Sequence, residues 1–353
     1  MEVDYLVGSK EDFVNFLDSI GLYDKVAILT HTDLDGIASG LFLSEILKAR
    51  GIKLDYIGFL EIKSDMVKEV SEILKEKLIT KVIFSDLNIE SIDPEGFEGL
   101  RIEKDVFLID HHPIVEDLKD KSNIIKTVSE DCSALTTFIL GEGMVESKSW
   151  GWLVSAAIFS DYSFKSKKNF MFMKTFYPEL SYDEISSSIP GLNARKISSA
   201  LIYYKKDVKH VYELVQENNI SEFNEIYELI EEEVYRVADD FEKNKKYVPE
   251  KDIYIYEIKS KFEILSYVAT LIAGYNPEKN FIFIYRTNDF VKISARSSNS
   301  GINMGKLMKE GVVGLEKADG GGHSAAAAAR ILPKDEQTFL KRILGDSIKP
   351  NIY

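Results

Sequence analysis

Val26-Ala27-Ile28-Leu29 leads into His31-Thr32-Asp33-Leu34-Asp35-Gly36, Val82-Ile83-Phe84 into Ser85-Asp86, and Val106-Phe107-Leu108-Ile109 into Asp110-His111-His112-Pro113. Three times, a short apolar run ends in carboxylates or imidazoles. The runs are largely β-branched or aromatic and do not alternate with polar residues, the pattern of strands covered on both faces of a parallel sheet. Between them lie helical patterns at 36–49, apolar at Ile37, Leu41, Phe42, Ile46 and Leu47 with Gly51 as a stop, and at 64–78. Ahead of them, 9–22 reads as an amphipathic helix with Ser9 as its N-cap. Strand and helix in alternation predict an α/β domain built on a doubly wound parallel sheet. In such sheets ligands bind outside the carboxyl ends of the strands, where the strand order switches, so the polar residues that follow the three runs should share one cleft.

A cluster of oxygen ligands with a few imidazoles suits Mn²⁺ or Mg²⁺ better than thiolate-seeking metals. Asp161, closing the apolar segment 153–159, is a fourth carboxylate for the same cleft. Of five histidines, four (His31, His111, His112 and His323) sit inside Asp- or Gly-rich motifs, and only His210 has an ordinary helical context. Taken singly, His31-x-Asp33-x-Asp35-Gly36 also reads as a strand-ending turn, and Asp86 and Asp161 also read as local caps. Asp110-His111-His112 is harder to read that way, since three adjacent titratable groups after four apolar residues serve no packing purpose.

The chain of 353 residues exceeds what one core usually holds, so two domains are expected. The pattern turns helical after Asp161, with candidates at 181–188 ended by Pro190-Gly191, near 194–204, and at 221–243. Residues 244–250, polar and containing Pro249, read as a linker. That gives a first domain at 1–243 with a helical C-terminal part and a second at 251–353. Strand runs at 253–256, 281–285 and 290–295 predict a smaller α+β fold for the second. The triple glycine at 320–322 reads as a turn before a helix at 325–329. With 44 basic against 58 acidic residues the formal charge is −14, which disfavours a long duplex as the main partner and leaves a short oligonucleotide or dinucleotide. The acidic start Met1-Glu2-Val3-Asp4 lacks the order of a secretory signal, no apolar run reaches the roughly 18 residues of a membrane span, and Cys132 stands alone. The expectation is a cytoplasmic protein with no membrane partner.

In these motifs the chain resembles the DHH phosphoesterase superfamily, named for the triplet that here is Asp110-His111-His112. His31-x-Asp33-x-Asp35-Gly36 corresponds to the first family motif in its RecJ-like form, Asp86 to the second, Asp110-His111-His112 to the third and Asp161 to the fourth. Gly320-Gly321-Gly322-His323-Ser324-Ala325-Ala326 is similar to the glycine-rich signature of the companion DHHA1 domain, with Ser294-Ala295-Arg296-Ser297 as its basic strand; the chain departs from the pattern at Ala327, where the family often has Gly. The resemblance implies two Mn²⁺ ions, or Mg²⁺, with His31 and Asp33 on one, Asp35, His111 and Asp161 on the other, and Asp86 as the bridge. Paired ions of this kind generate a hydroxide nucleophile and stabilise an in-line transition state. Asp110 is expected to orient an imidazole, and His112 to meet the substrate phosphate as a donor or general acid. Gly320, Gly321, Gly322, His323 and Arg296 are expected to bind a terminal phosphate, sugar or base. The implied activity is a metal-dependent phosphodiesterase or exonuclease that trims short single-stranded oligonucleotides, RNA or DNA, to mononucleotides. Hydrolysis of linear or cyclic dinucleotides, or of 3′-phosphoadenosine 5′-phosphate, is the alternative within the class. A non-catalytic replication-associated binding module is the alternative outside it. A homodimer enters by family analogy alone.

Overall fold

Along Val26–His31, Ala27 and Leu29 face one hydrophobic cluster while Val26 and Ile28 face another, so this strand is buried from both sides. The same alternation holds for Val82 and Phe84 against Ile83, and for Val106 and Leu108 against Phe107 and Ile109. Fully buried side chains such as Leu29, Phe84 and Leu108 each stabilise the sheet by about 1.5–3 kcal/mol. A computed structural model of the chain describes residues 3–63, 65–114, 118, 121–205, 207–297 and 301–345. They fall into two units, Met1–Tyr227 and Glu228–Tyr353.

The first unit holds strands β1 (Tyr5–Val7), β2 (Val26–His31), β3 (Leu54–Leu60), β4 (Lys81–Ser85), β5 (Asp105–Asp110) and β6 (Ile124–Thr127), in the order β1-β6-β5-β4-β2-β3. All neighbours are parallel except the edge strand β1, which runs antiparallel to β6. Helices α1 (Lys10–Asp18) and α2 (Leu34–Ala49) cover one face, through Phe13, Phe16, Leu17, Leu43 and Ile46. On the other face, α3 (Met66–Glu76) and α5 (Pro94–Glu103), separated by the short α4 (Ile89–Ile92), contribute Met66, Val70, Leu74, Phe97 and Leu100. This is a doubly wound sheet. Ser9 caps α1 and accepts from the backbone N–H of Asp12, although the helix stops at Asp18 rather than 22. The helix expected at 64–78 is α3; Ser64 lies outside the described residues. Because β2 has β3 on one side and β4 on the other, the strand order switches at β2, and the carboxyl ends of β2 and β4 flank the switch point.

Helices α6 (Ser133–Leu140), α7 (Gly151–Ser160), α8 (Lys167–Met173), α9 (Ile189–Tyr204) and α10 (Val208–Gln216) complete the unit. Pro190-Gly191 corrects an expectation: it opens α9 instead of ending a helix before it. Proline suits a first helical turn because its missing N–H would have no partner there, and Ser188 supplies the cap to the N–H of Gly191. The segment 181–188 holds only a 3₁₀ turn, Ile185–Ser187.

Helix α11 (Asn224–Asn244) carries the chain from the first unit into the second. The second sheet contains β7 (Lys246–Val248), β8 (Ile253–Glu257), β9 (Asn280–Arg286), β10 (Val291–Ser297), β11 (Asp319–Gly322) and β12 (Ala326–Ile331), in the order β11-β12-β10-β9-β8-β7. Only β8 and β9 are parallel. Helices α13 (Met304–Val312) and α14 (Glu336–Leu344) pack on one face through Met304, Met308, Phe339 and Ile343. Helix α12 (Leu265–Tyr275) joins β8 to β9. The smaller fold is α+β, as expected, with two corrections. Residues 246–248 of the expected linker are strand β7, and the division between units falls earlier, inside the first turn of α11. Residues 326–331 are a strand instead of a helix, and 320–322 lie in a strand instead of a turn. Ala327, Ala329 and Ile331 are buried while Ala328 is exposed, a period of two. Tertiary pairing overrides the helix propensity of alanine. Among the described residues, no helix is long and apolar enough to cross a membrane.

Candidate metal centre

His31 is the last residue of β2, Asp86 follows β4 directly, and Asp110 ends β5, so three adjacent strands deliver their polar ends to one edge of the sheet. Asp33 caps α2, accepting from the N–H of Gly36 at 3.0 Å, and Asp35 lies in the first turn of that helix. Gly36 is required by this close turn: a Cβ there would stand 2.3 Å from the carbonyl oxygen of His31. Asp86 adopts a left-handed φ of +58°, a region Asp tolerates better than most residues, and its N–H donates to the carbonyl of Ile109 at 3.0 Å. Asp161 is the C-cap of α7.

These residues converge. His31 Nδ1 lies 2.9 Å from Asp33 Oδ2 and 3.6 Å from Asp86 Oδ2. His111 Nε2 lies 3.4 Å from Asp86 Oδ1 and 3.8 Å from Asp35 Oδ2, and its Nδ1 lies 3.8 Å from Asp161 Oδ2. Among the described residues, three groups have ligand atoms within 4.8 Å of one another: His31, Asp33 and Asp86; Asp35, His111 and Asp161; and Asp86, His111 and His112. Asp86 belongs to two of them, as does His111. Asp110 belongs to none. It is fully buried and accepts from His112 Nδ1 at 2.8 Å and from the His112 N–H at 3.2 Å, while Lys126 also contacts it.

The electrostatics fit a cation. Burial raises the Asp35 carboxyl, the charges of Asp86 and Asp161 raise it further, and it stands well above the ordinary range against the pull of His111. Burial, opposed by His111 and aided by Asp86 and Asp33, pushes Asp161 up to about 6. Burial opposes the charged form of Asp86 too, yet hydrogen bonds and charge from His111 and His31 hold it far below the usual range. Burial lowers His31 and His111, but the carboxylates beside them win and both stand well above their ordinary value. The cluster is therefore short of positive charge, and buried Asp86 Oδ2 has no hydrogen bond of ordinary length, His31 Nδ1 standing 3.6 Å away. A buried carboxylate oxygen left unpaired is costly unless something binds it. The residues present fit Mn²⁺ or Mg²⁺.

Two features of the centre lie beyond the sequence motifs. The first is the N-terminus of α6, whose Ser133 and Ala134 N–H groups each donate to Asp35 at 2.8 Å. That fixes the carboxylate through a helix terminus that favours negative charge. The second is Lys126, paired with Glu90 and Asp110. Neither carries a sequence signal, since both pairings are made by the fold.

In the second unit, Arg296 on β10 donates to Ser294 Oγ at 2.8 Å, to the Ala295 carbonyl at 3.0 Å and to Thr270 Oγ1 at 3.2 Å. Gly320, Gly321 and Gly322 pair with Ala329, Ala328 and Ala327 along the sheet edge, and the exposed His323 follows them. Arg296 pairs with Ala326, so Arg296 and His323 belong to the same end of this sheet. The N–H groups of Met304 and Gly305, at the start of α13, donate to the carbonyls of Ser324 and His323 at 2.9 and 3.0 Å.

The DHH family N-terminal domain matches residues 25–149 and the DHHA1 domain matches residues 252–345. No curated protein matches the sequence. Among solved structures, the chain is similar to exonuclease RecJ bound to manganese, with a TM-score of 0.71 at 14% identity over 99% of this chain and 96% of that one. It is similar to RecJ from Thermus thermophilus in complex with Mn²⁺, with a TM-score of 0.69 at 14% identity, where 95% of this chain covers 53% of the other. It is similar to CDC45 from Entamoeba histolytica, with a TM-score of 0.60 at 11% identity over 95% and 98% of the two chains. At these identities the likeness is one of fold. With both models matched in order along its length, the chain carries a DHH family N-terminal domain followed by a DHHA1 domain.

Proposed function

We propose that this protein is a two-metal phosphodiesterase that hydrolyses short single-stranded oligonucleotides to mononucleotides. The observation that carries the reading is the sharing of Asp86 between one group made with His31 and Asp33 and another made with His111 and His112, beside Asp35 and Asp161. His31, Asp33 and Asp86 would hold one Mn²⁺ or Mg²⁺; Asp35, His111 and Asp161 would hold the other, with Asp86 between them. When bound, such a pair supplies an activated water and neutralises charge on the phosphate. His112, with Nδ1 engaged by Asp110, keeps Nε2 for a phosphate oxygen or the leaving group. Arg296, Gly320, Gly321, Gly322 and His323 would bind a terminal phosphate, sugar or base and so set which phosphodiester is cut. Manganese and magnesium appear with the structurally similar RecJ proteins, which supports the choice of metals.

Labelled di- to pentanucleotides of RNA and DNA, incubated with Mn²⁺, test this. Conversion to mononucleotides is expected, with direction read from the labelled end. Equal or better hydrolysis of long duplexes overturns the preference for short substrates, and preferential cleavage of a cyclic dinucleotide or 3′-phosphoadenosine 5′-phosphate moves the assignment within the class. Binding of oligonucleotide without any turnover favours the non-catalytic reading, for which the CDC45 likeness speaks no more strongly.

A further inference from the structure

Lys126 is wholly buried, on a strand next to the one that carries the family triplet. In the register of β5 and β6 it is the direct partner of Asp110. Its ammonium contacts Asp110 Oδ2 and lies 2.6 Å from Glu90 Oε1, on α4; both carboxylates are buried. Glu90 Oε1 also accepts from Ser91 Oγ at 2.9 Å, while Glu90 Oε2 is buried without a hydrogen-bond partner. Packing does not account for such an arrangement. Desolvating an ammonium and two carboxylates costs more than the pairing returns in many proteins, and well-packed apolar replacements are often as stable.

What the lysine does is divide the two oxygens of Asp110. Oδ2 faces the ammonium and the His112 N–H, while Oδ1 is left for His112 Nδ1 at 2.8 Å. With Oδ2 held, the carboxylate cannot swing toward the metal-binding groups, to none of which it belongs. A ring nitrogen bound to a fixed carboxylate in turn decides which nitrogen the imidazole offers.

We propose that Lys126, braced by Glu90, is a positioning residue for His112: its fixed charge locks Asp110 so that His112 presents Nε2 to the substrate. This rests on the role given to His112 above. The test is a double-mutant cycle on a labelled trinucleotide with Mn²⁺, read by steady-state kinetics. Lys126→Gln with Glu90→Gln removes the charge pair at near-constant volume. The expected result is a fall of about tenfold in kcat with KM within about twofold, as loss of positioning predicts, and no further fall when the two changes are added to His112→Ala. A kcat equal to the parent's overturns the inference. So does a loss of equal size in the His112→Ala background, which would mark the lysine as structural. Should the double variant not fold, Lys126→Arg replaces it, because a guanidinium keeps the charge but cannot seat a nitrogen where the ammonium stood. A fall of about threefold or more that vanishes in the His112→Ala background is then expected, and parental kcat overturns the inference. A His112→Ala protein as active as its parent removes the role of His112 itself, and this inference with it; an inactive His112→Ala protein with unaffected lysine variants removes the inference alone.

Discussion

Under the proposed function, the two units would present chemistry by opposite means. At the carboxyl edge of the first sheet, side chains would do the work: His31, Asp86 and His111 arrive at strand ends and touch one another and Asp35, which the α6 N-terminus holds. At the edge of the second sheet the backbone would do it, since Gly320, Gly321 and Gly322 carry no side chain and Gly320 and Gly322 lie close against α13. A Cβ at Gly320 would stand 2.6 Å from the Met308 carbonyl, and one at Gly305 would stand 2.1 Å from the Gly322 carbonyl. A site made of carboxylates is sensitive to charge and protons. One made of glycines is sensitive to a single added methyl.

That contrast can be broken most forcefully at Asp86. Replacing it with alanine is expected to lower turnover by about a thousandfold or more while the thermal transition remains cooperative; substantial hydrolysis by the purified variant would show that the shared carboxylate is dispensable. Protons should act on the first unit next. With the Asp161 carboxyl pushed up to about 6 and both His31 and His111 held protonated well above their ordinary value, metal binding must displace protons. Mn²⁺ affinity should therefore fall as pH drops, by about tenfold or more per unit below pH 6, and calorimetric titration across pH 5–8 checks the sign. In the second unit, Gly305→Ala should cost about 1–3 kcal/mol of stability through overpacking and raise KM about tenfold with kcat less affected, measured by urea unfolding and steady-state kinetics. The smallest effect is expected from Arg296→Ala, a rise in KM of about three- to tenfold at unchanged kcat. If kcat collapsed instead, the division of labour between the units would be wrong.

How much of this was legible in the chain follows from the same contrast. The runs at 26–29, 82–84 and 106–109 read correctly as strands because burial on both faces leaves a composition that no exposed segment shares. The residues after them could be gathered at one edge from topology alone. The glycine and alanine stretch was misread, since 326–331 alternates in burial while every residue up to 329 is alanine, and no pattern of polarity betrays the period. Strand β7 was hidden in a polar, proline-containing segment that pairs only at a sheet edge. Pro190-Gly191 carried the punctuation of a helix end but sits at a helix start, where the cap Ser188 decides the direction. Lys126 and Glu90 lie far apart in sequence and meet only through the fold.

In the proposed reading, the polar ends of three strands, with Asp161, form one centre for a pair of divalent ions around Asp86. Crystals grown with Mn²⁺ and measured at the manganese absorption edge test it directly. Two anomalous peaks are expected, one within ligand distance of His31, Asp33 and Asp86 and the other within ligand distance of Asp35, His111 and Asp161, with Asp86 reaching both. Peaks elsewhere, or a single ion that leaves Asp86 unligated, would contradict it.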